Sequence, residues 1–506
     1  MTAVLAAEWV KLRSVRSTYT ILAVAGMTVL IAALLTWQGV QGWDALTPDR
    51  RARFQSPPME QLLSSPVQLC LAVLGVLTIT AEYATGAIRL SLTAVPRRWP
   101  LLAAKTAVVA AVTLAAGEVV VLAIFIVSRA IVGGRPIPGN TASLATELPA
   151  LLGLGVSVMV VALVGLGLGT AMRSTAGAIC AVVALLVVLP TIAPLVPAPW
   201  GGRLGAVMLP NLAGQLAGHA GTPSGAAVVL AGGTAGVGSP LLSPPEALLG
   251  VLASEWVKVR SVRSTWWTLA AAGAGGLLAV LLAWYSASYW DGASAQARQH
   301  FALTPSAPVV GWIAQLCLAV LGVLAVTSEY ATGTIRTTLA AVPGRPGLLG
   351  AKVAVVAVVA LVAGLAILFA AFFASHWIIG ARPLRFWTAP VSAEIPVQLS
   401  WGVSVMVFAL IGLGLGALLR STAAAITAVA VLWYPLPIVA LHLRAPVGPW
   451  VSALLPLNLA PQLSGAPDLS AGHDTLLSPA GALATMAAYV VLAVGGALIS
   501  MVWRDA

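Results

Sequence analysis

Charge is scarce in this chain. Only 8% of its 506 residues are Asp, Glu, Lys or Arg, and 59% are hydrophobic. Soluble domains carry about 25% charged and about 45–50% apolar residues. That excludes a water-soluble globular domain and makes lipid the solvent for most of the chain. Lysine is rarer still: Lys11, Lys105, Lys258 and Lys352 are all there is. None follows glycine, and no G-x-x-x-x-G-K-[ST] loop occurs, which excludes ATP binding by that device. The three cysteines (Cys70, Cys180, Cys317) sit inside apolar runs and give no disulfide framework. The five histidines are scattered without zinc spacing. No nucleophile–base pair supports an enzyme. No basic start leads into a short apolar stretch with a small-residue cleavage site, so no removable signal peptide is expected.

What is present is a repetition. Leu5–Thr18 (LAAEWVKLRSVRST) and Leu252–Thr265 (LASEWVKVRSVRST) agree at 12 of 14 positions. QLCLAVLGVL occurs at 68–77 and 315–324, and EYATG at 82–86 and 329–333. Arg173 matches Arg420, Asn211 matches Asn458, and Gln215 matches Gln462, always 247 residues apart. Solenoid units repeat every 20–50 residues. This period therefore means two complete domains in tandem, 1–247 and 248–506.

A helix needs about 20 apolar residues to cross a bilayer, and helices satisfy their own backbone in lipid. The apolar runs predict spans at 19–37, 64–81, 106–127, 148–171 and 176–196, then 266–285, 308–328, 353–379, 396–418, 423–441 and 480–503. With the N-terminus inside, 16 of the 26 basic residues fall on the cytoplasmic side, in the sense of the positive-inside rule. The net charge of +11 thus serves orientation rather than nucleic acid. Both repeats must start on the same side, which demands an even number of crossings between them. A weak sixth span is therefore expected at 224–242. The fold class expected is an all-α polytopic membrane protein: two parallel repeats of about six helices each, about 12 spans in all.

Two shared motifs carry the functional signal. The first is E-W-V-K-x-R-S-V-R: Glu8, Trp9, Lys11, Arg13 and Arg16, with mates Glu255, Trp256, Lys258, Arg260 and Arg263. It reads as an interfacial helix, with indole at headgroup level and cations toward lipid phosphates. The second follows span two. It contains Glu82, Tyr83, Gly86, Arg89, Pro96, Arg98 and Lys105, repeated as Glu329, Tyr330, Gly333, Arg336, Pro343, Arg345 and Lys352. Glu82 and Arg89 are seven apart and would share one face of a helix. Gly86 permits a sharp turn, and Pro96 ends the segment. A loop that is basic only to set topology would not need so fixed a pattern.

These motifs resemble the permease subunits of ATP-binding-cassette (ABC) exporters of the type-2 class, especially actinobacterial ones, over nearly the whole chain. The resemblance implies two half-permeases fused in tandem, with a coupling helix in each loop. It implies two copies of a separate ABC ATPase subunit that carry the ATP and Mg, no cofactor in this chain, and a cell-membrane location. It also implies a re-entrant helix pair in the apolar, Pro-rich loop after span five, around Asn211 and Asn458. The few charges in the spans suit an amphipathic cargo. GLGLG at 165–169 and 412–416 lies within spans and reads as small-residue helix packing. Glu147 and Glu394 read as helix N-terminal carboxylates. Glu118, at mid-span opposite Leu365 of the second repeat, is costly in lipid. With Asn211 and Asn458 it is a candidate pathway residue, unless it leans toward Arg129. The alternative function is a proton-coupled secondary transporter that uses Glu118.

Overall fold

The fold was obtained as a computed structural model, which describes residues 2–51, 54, 57–94, 98–138, 140, 142–188, 190, 247–300, 305–341, 345–384, 387, 390–443, 447–465 and 477–503. Among these, every regular element is a helix. Among the described residues nine helices are long and apolar enough to cross a membrane: Ser17–Asp44, Met59–Thr85, Trp99–Val132, Leu144–Met172, Ser264–Gly292, Ser306–Thr332, Pro346–Ile379, Val391–Leu419 and Pro479–Met501. The chain is therefore an all-α, multi-pass membrane protein. The expected crossing at 224–242, Asn211, Pro96 and Pro343 lie outside the described residues.

The first run of helices is α1 (Thr2–Ser14), α2 (Arg16–Asp44), α3 (Pro48–Arg51), α4 (Met59–Leu62), α5 (Ser64–Thr85), α6 (Ala87–Ala94), α7 (Arg98–Val132), α8 (Leu144–Met172) and α9 (Thr175–Val183). The second is α10 (Ala247–Ser261), α11 (Arg263–Gly292), α12 (Ala295–His300), α13 (Ser306–Thr332), α14 (Thr334–Ala341), α15 (Arg345–Ile379), α16 (Val391–Leu419), α17 (Thr422–Trp433), α18 (Pro435–His442), α19 (Val447–Leu454), α20 (Leu459–Ser464) and α21 (Pro479–Trp503). Two compact units result, one centred on α1–α9, the other on α10–α17 and α19–α21. The short α18 groups with the first unit.

Two expectations need correction. The third span begins at Arg98 rather than at residue 106, and its mate at Arg345. The sequence reading stopped at the lysine, whereas the helix carries Lys105 inside it and buries its charge. The run 423–441 is not one span: α17 stops at Trp433, and α18 starts at Pro435. Pro435 and Pro437 lack backbone donors, so the helix cannot run through them. The expected span 176–196 is helical over its described part, Thr175–Val183 as α-helix and Ala184–Val188 as π-helix, while 189 and 191–196 lie outside the described residues.

Each unit is built on one close helix pair. In the first, α5 packs on α8, and a Cβ at Gly75 would collide with the Ala162 carbonyl. A Cβ at Gly165 would lie 2.6 Å from the Ala72 carbonyl oxygen. In the second, α13 meets α16 the same way, Gly322 against Ala409 and Gly412 against Ala319. The GLGLG runs are thus the contact stripes that small residues make possible between membrane helices. Gly414 faces away from this pair and lies against Ala493 of α21. Each interface also buries one polar bridge: Gln68 Nε2 donates to Ser157 Oγ at 3.0 Å, and Gln315 Nε2 to Ser404 Oγ at 2.9 Å. At the far end of the spans Arg135 forks onto Asp44 with both bonds at 2.9 Å, and Arg382 onto Asp291 at 2.9 and 2.7 Å.

Gly322→Val should cost at least about 1–3 kcal/mol, because a side chain there has no room without parting α13 from α16. Gly273→Ala, at a position with open space around it, should be neutral or stabilising by up to about 1 kcal/mol. Thermal unfolding of the two variants in detergent checks the pair.

Candidate functional site

Glu8 and Lys11 stand three residues apart on one face of α1, so they meet side by side. That face is turned inward. Glu8 is 4% exposed, while Trp9 (47%) and Val10 (63%) lie outside. A helix with its carboxylate inside and its indole outside suits a lipid-facing exterior. The inward face closes a four-membered charge box. Lys11 Nζ donates to Glu8 Oε1 at 2.7 Å and to Glu82 Oε1, at the end of α5, at 3.1 Å. Lys105 Nζ, on α7, donates to Glu8 Oε2 at 2.6 Å, to Glu82 Oε1 at 2.9 Å and to the Thr78 carbonyl at 3.2 Å. The box is electrically neutral.

The second unit repeats it. Lys258 Nζ reaches Glu255 Oε1 at 2.6 Å and Glu329 Oε1 at 2.8 Å. Lys352 Nζ reaches Glu255 Oε2 and Glu329 Oε1, both at 2.7 Å, and the Ala325 carbonyl at 3.4 Å. All four lysines of the chain are therefore spent in two boxes. Lys105 and Lys352 are 4% and 1% exposed. Lys11 and Lys258, expected with their neighbouring arginines to face lipid phosphates, are each held by two carboxylates of a box, and Lys105 and Lys352 are buried in the same boxes. Burial pushes the Glu8 carboxyl up, but its bonds to Lys105 and Lys11 outweigh this and hold it below the usual carboxylate value. Burial pulls Lys11 and Lys258 down, and their paired glutamates more than reverse it, raising both ammonium groups. Glu82 Oε2 and Glu329 Oε2 are buried without a hydrogen-bond partner among the described residues.

A third motif converges on the same place. Arg173 caps the end of α8 with φ 48°, and Arg420 caps α16 with the same angle. Left-handed backbone is unusual for arginine and marks a constrained position. The Arg173 guanidinium lies over the Tyr83 ring at 5.7 Å, and Arg420 over Tyr330 at 5.2 Å. Tyr83 and Tyr330 directly follow the box glutamates. In the sequence Arg173 and Arg420 stand out only as repeat mates at the turn after the fourth span of each copy. Their exact recurrence at 247 residues was the available signal for more.

From this root a short helix leaves each unit. Gly86 and Gly333 end α5 and α13 with φ 73°, a conformation that glycine adopts without penalty. Glu82 and Arg89 thus do not share a helix face: the left-handed turn at Gly86 puts Glu82 on α5 and Arg89 on α6. Glu82 points into the box, whereas Arg89 is exposed. Leu90 is 74% exposed, and Trp99, at the start of α7, is 80% exposed. Ser91 Oγ accepts from Lys11 Nζ at 3.0 Å, tying α6 to the box. Arg13 and Arg260 are exposed, and Trp256 is 43% exposed. Arg16 and Arg263 open α2 and α11 rather than continuing the first helix, while Arg98 and Arg345 open α7 and α15.

The pathway candidates do not form a cluster. Glu118 packs against Gly155 of α8, as Leu365 packs against Gly402 of α16. Its expected partner Arg129 instead donates to Asn140 Oδ1 at 2.8 Å. Asn458 Nδ2 donates to the Ser452 carbonyl (2.9 Å) and Oγ (3.0 Å), which holds the turn between α19 and α20. Gln462 Nε2 donates to the Ala453 carbonyl at 2.8 Å, and Gln462 Oε1 accepts from Leu477 N at 3.2 Å. That brings the two short helices up to α21 as a hinged pair. Ser143, not Glu147, caps α8; Glu147 and Glu394 occupy first turns. Among the described residues no group of His, Cys, Asp and Glu could hold a metal. The sequence matches no protein-family model and no curated protein.

Removing Lys352 (Lys352→Met) leaves two buried carboxylates with half their partners and should cost about 3–5 kcal/mol. Lys258→Met, at a residue 40% exposed, should cost clearly less. Thermal unfolding of the full chain tests the order. The boxes also set a pH window. The Glu8 contribution is present above the ordinary carboxylate pKa and is lost as pH falls through its lowered value. The Lys11 and Lys258 contributions are present below the ordinary lysine pKa and are lost as pH rises through their raised values. Stability should therefore be flat between about pH 5 and 10 and fall on both sides.

Proposed function

We propose that this chain is the transmembrane permease of an ATP-driven exporter of the type-2 ABC class, with two half-permeases, 1–247 and 248–506, fused in one polypeptide. On this reading each half contributes about six crossings, the sixth of the first half lying at 224–242. The N-terminus is cytoplasmic in the cell membrane. α6 and α14 are coupling helices, each received by one copy of a separate ATPase subunit that binds ATP and Mg. The chain itself hydrolyses nothing. Closure of the ATPases would rock the halves about an axis along the membrane normal, as parallel repeats allow, and move an amphipathic cargo.

One observation carries the reading. Two eight-residue helices hang from left-handed glycines, each rooted in a buried charge box that ties together the first helix, the second span and the third. A lever of this form transmits force only if its root is stiff. A box of buried ion pairs meets that requirement, since displacing any one ion leaves two buried opposite charges short of a partner. Exposed Arg89 and Leu90 give such a helix a mixed charged and apolar surface suited to a protein partner.

The second reading, a proton-coupled transporter, rests on Glu118, whose Oε2 is buried without a partner among the described residues. Leu365 occupies the matching position in the second unit, so only one half would carry the proton.

Leu90→Asp together with Arg89→Glu should remove one of the two ATPase copies that co-purify with this chain, and ATP-driven transport with it, while leaving thermal unfolding unchanged. Full ATPase recovery with unchanged transport would remove α6 from the coupling role. Glu118→Leu should leave transport intact. Loss of transport together with its pH dependence would favour the proton reading.

A further inference from the structure

The two charge boxes are not equivalent, and the difference bears on a cavity in the second unit. Lys352 has three acceptors, so its ammonium is saturated. Lys11 also has three, the third being Ser91. Lys258 has two. At the position that matches Ser91, Thr338 Oγ1 donates back to the Thr334 carbonyl at 3.0 Å and leaves the lysine alone. Among the described residues one N–H of Lys258 thus remains available, on a side chain that is 40% exposed.

That N–H stands at the edge of a cavity of about 440 Å³, bounded by all four residues of the box. The volume falls within the range of about 300–1,000 Å³ that ligand sites occupy. Leu321, Leu324, Val355 and Val356 form an apolar wall, and the hydroxyls of Ser264, Thr334 and Thr338 stand among the lining. Glu329 lines the same cavity, is 6% exposed, and keeps its unpartnered Oε2. A buried carboxylate oxygen without a donor is costly. The cavity therefore combines an apolar volume, one open cationic donor and one buried acceptor in want of a donor. α10 and α14, the helices that frame it, flank the ends of membrane-length helices.

We propose that this cavity binds a membrane phospholipid, with one acyl chain against the apolar wall, the phosphate on Lys258, and a headgroup N–H or O–H turned toward Glu329. The box is neutral before binding, so one phosphate charge with a nearby headgroup amine leaves it nearly so. Phosphatidylethanolamine meets all three demands. Phosphatidylcholine has the chain and phosphate but no headgroup donor. Because Thr334 and Thr338 belong to α14, the lipid would also set how firmly that helix is held. The inference requires only that the chain lies in a membrane, and it stands whether or not α14 engages a motor.

The test is native mass spectrometry of the delipidated full chain in detergent, titrated with phosphatidylethanolamine, phosphatidylcholine and the chain-free glycerophosphoethanolamine. One phosphatidylethanolamine should bind about 10-fold more tightly than phosphatidylcholine, as a charge-assisted hydrogen bond allows. The chain-free compound should not compete. Leu324→Trp, which fills the cavity, should abolish this site, whereas Leu77→Trp, its mate in the first unit, should not. Thr338→Ser gives the second unit the residue type whose hydroxyl accepts from Lys11 in the first. It should weaken binding several-fold without altering the fold, and it decides the matter if a tryptophan variant fails to fold. Equal binding of both lipids, full competition by the chain-free compound, or wild-type affinity in Thr338→Ser would each overturn the assignment.

Discussion

The structure depends on how four charges are held at the end of a helix bundle. Glu8, Lys11, Glu82 and Lys105 come from three helices, and each carboxylate accepts from two ammonium groups. Taking such groups from water costs several kcal/mol per ion, and their mutual attraction repays it only when geometry is good and nearly every lone pair and proton is used. The box is thus less a source of stability than a constraint on position. It admits one register of α1 against α5 and α7, because a shift of either helix strands a charge. The second unit obeys the same constraint through Glu255, Lys258, Glu329 and Lys352.

Everything close to the box follows from that constraint. With Glu82 pinned, Tyr83 is placed under Arg173, which fixes the sharp turn from α8 to α9. With α5 ended by Gly86, α6 must leave sideways from a rigid base. The glycine contacts between α5 and α8 carry the same rigidity into the span region, since backbones that touch cannot slide independently. A partner that moves α6 would therefore move a packed assembly rather than a loop. On the proposed reading, this is how a cytoplasmic motor acts on a membrane path whose walls hold few charges of their own.

Much of this was legible in the sequence, for a physical reason: the residues that matter recur at 247 positions' distance while their surroundings drift. Helical character and most spans follow from apolar runs alone. The glycine stripes follow from their place within those runs. What could not be read was pairing. A lysine at the edge of an apolar run looks like an interfacial anchor, and nothing in its neighbourhood says that Lys105 instead meets Glu8, 97 residues away. Heptad spacing linked Glu82 with Arg89 only on the assumption of one unbroken helix, and the left-handed Gly86 breaks it. The run 423–441 is apolar throughout, but Pro435 and Pro437 lie in it, and two missing donors so close together divide the helix. Ser91 and Thr338 are repeat mates that both carry a hydroxyl, yet only Ser91 is bonded to a lysine of the box.

The central claim is that α6 and α14 are twin handles on one side of the membrane. Leu90 and Thr337 are mates on these helices, both exposed, and the native cysteines are buried. Single cysteines at these two positions, probed with a membrane-impermeant thiol reagent in right-side-out and inverted vesicles, test it directly. The account predicts that both react only in inverted vesicles. Reaction of one from each face would contradict it.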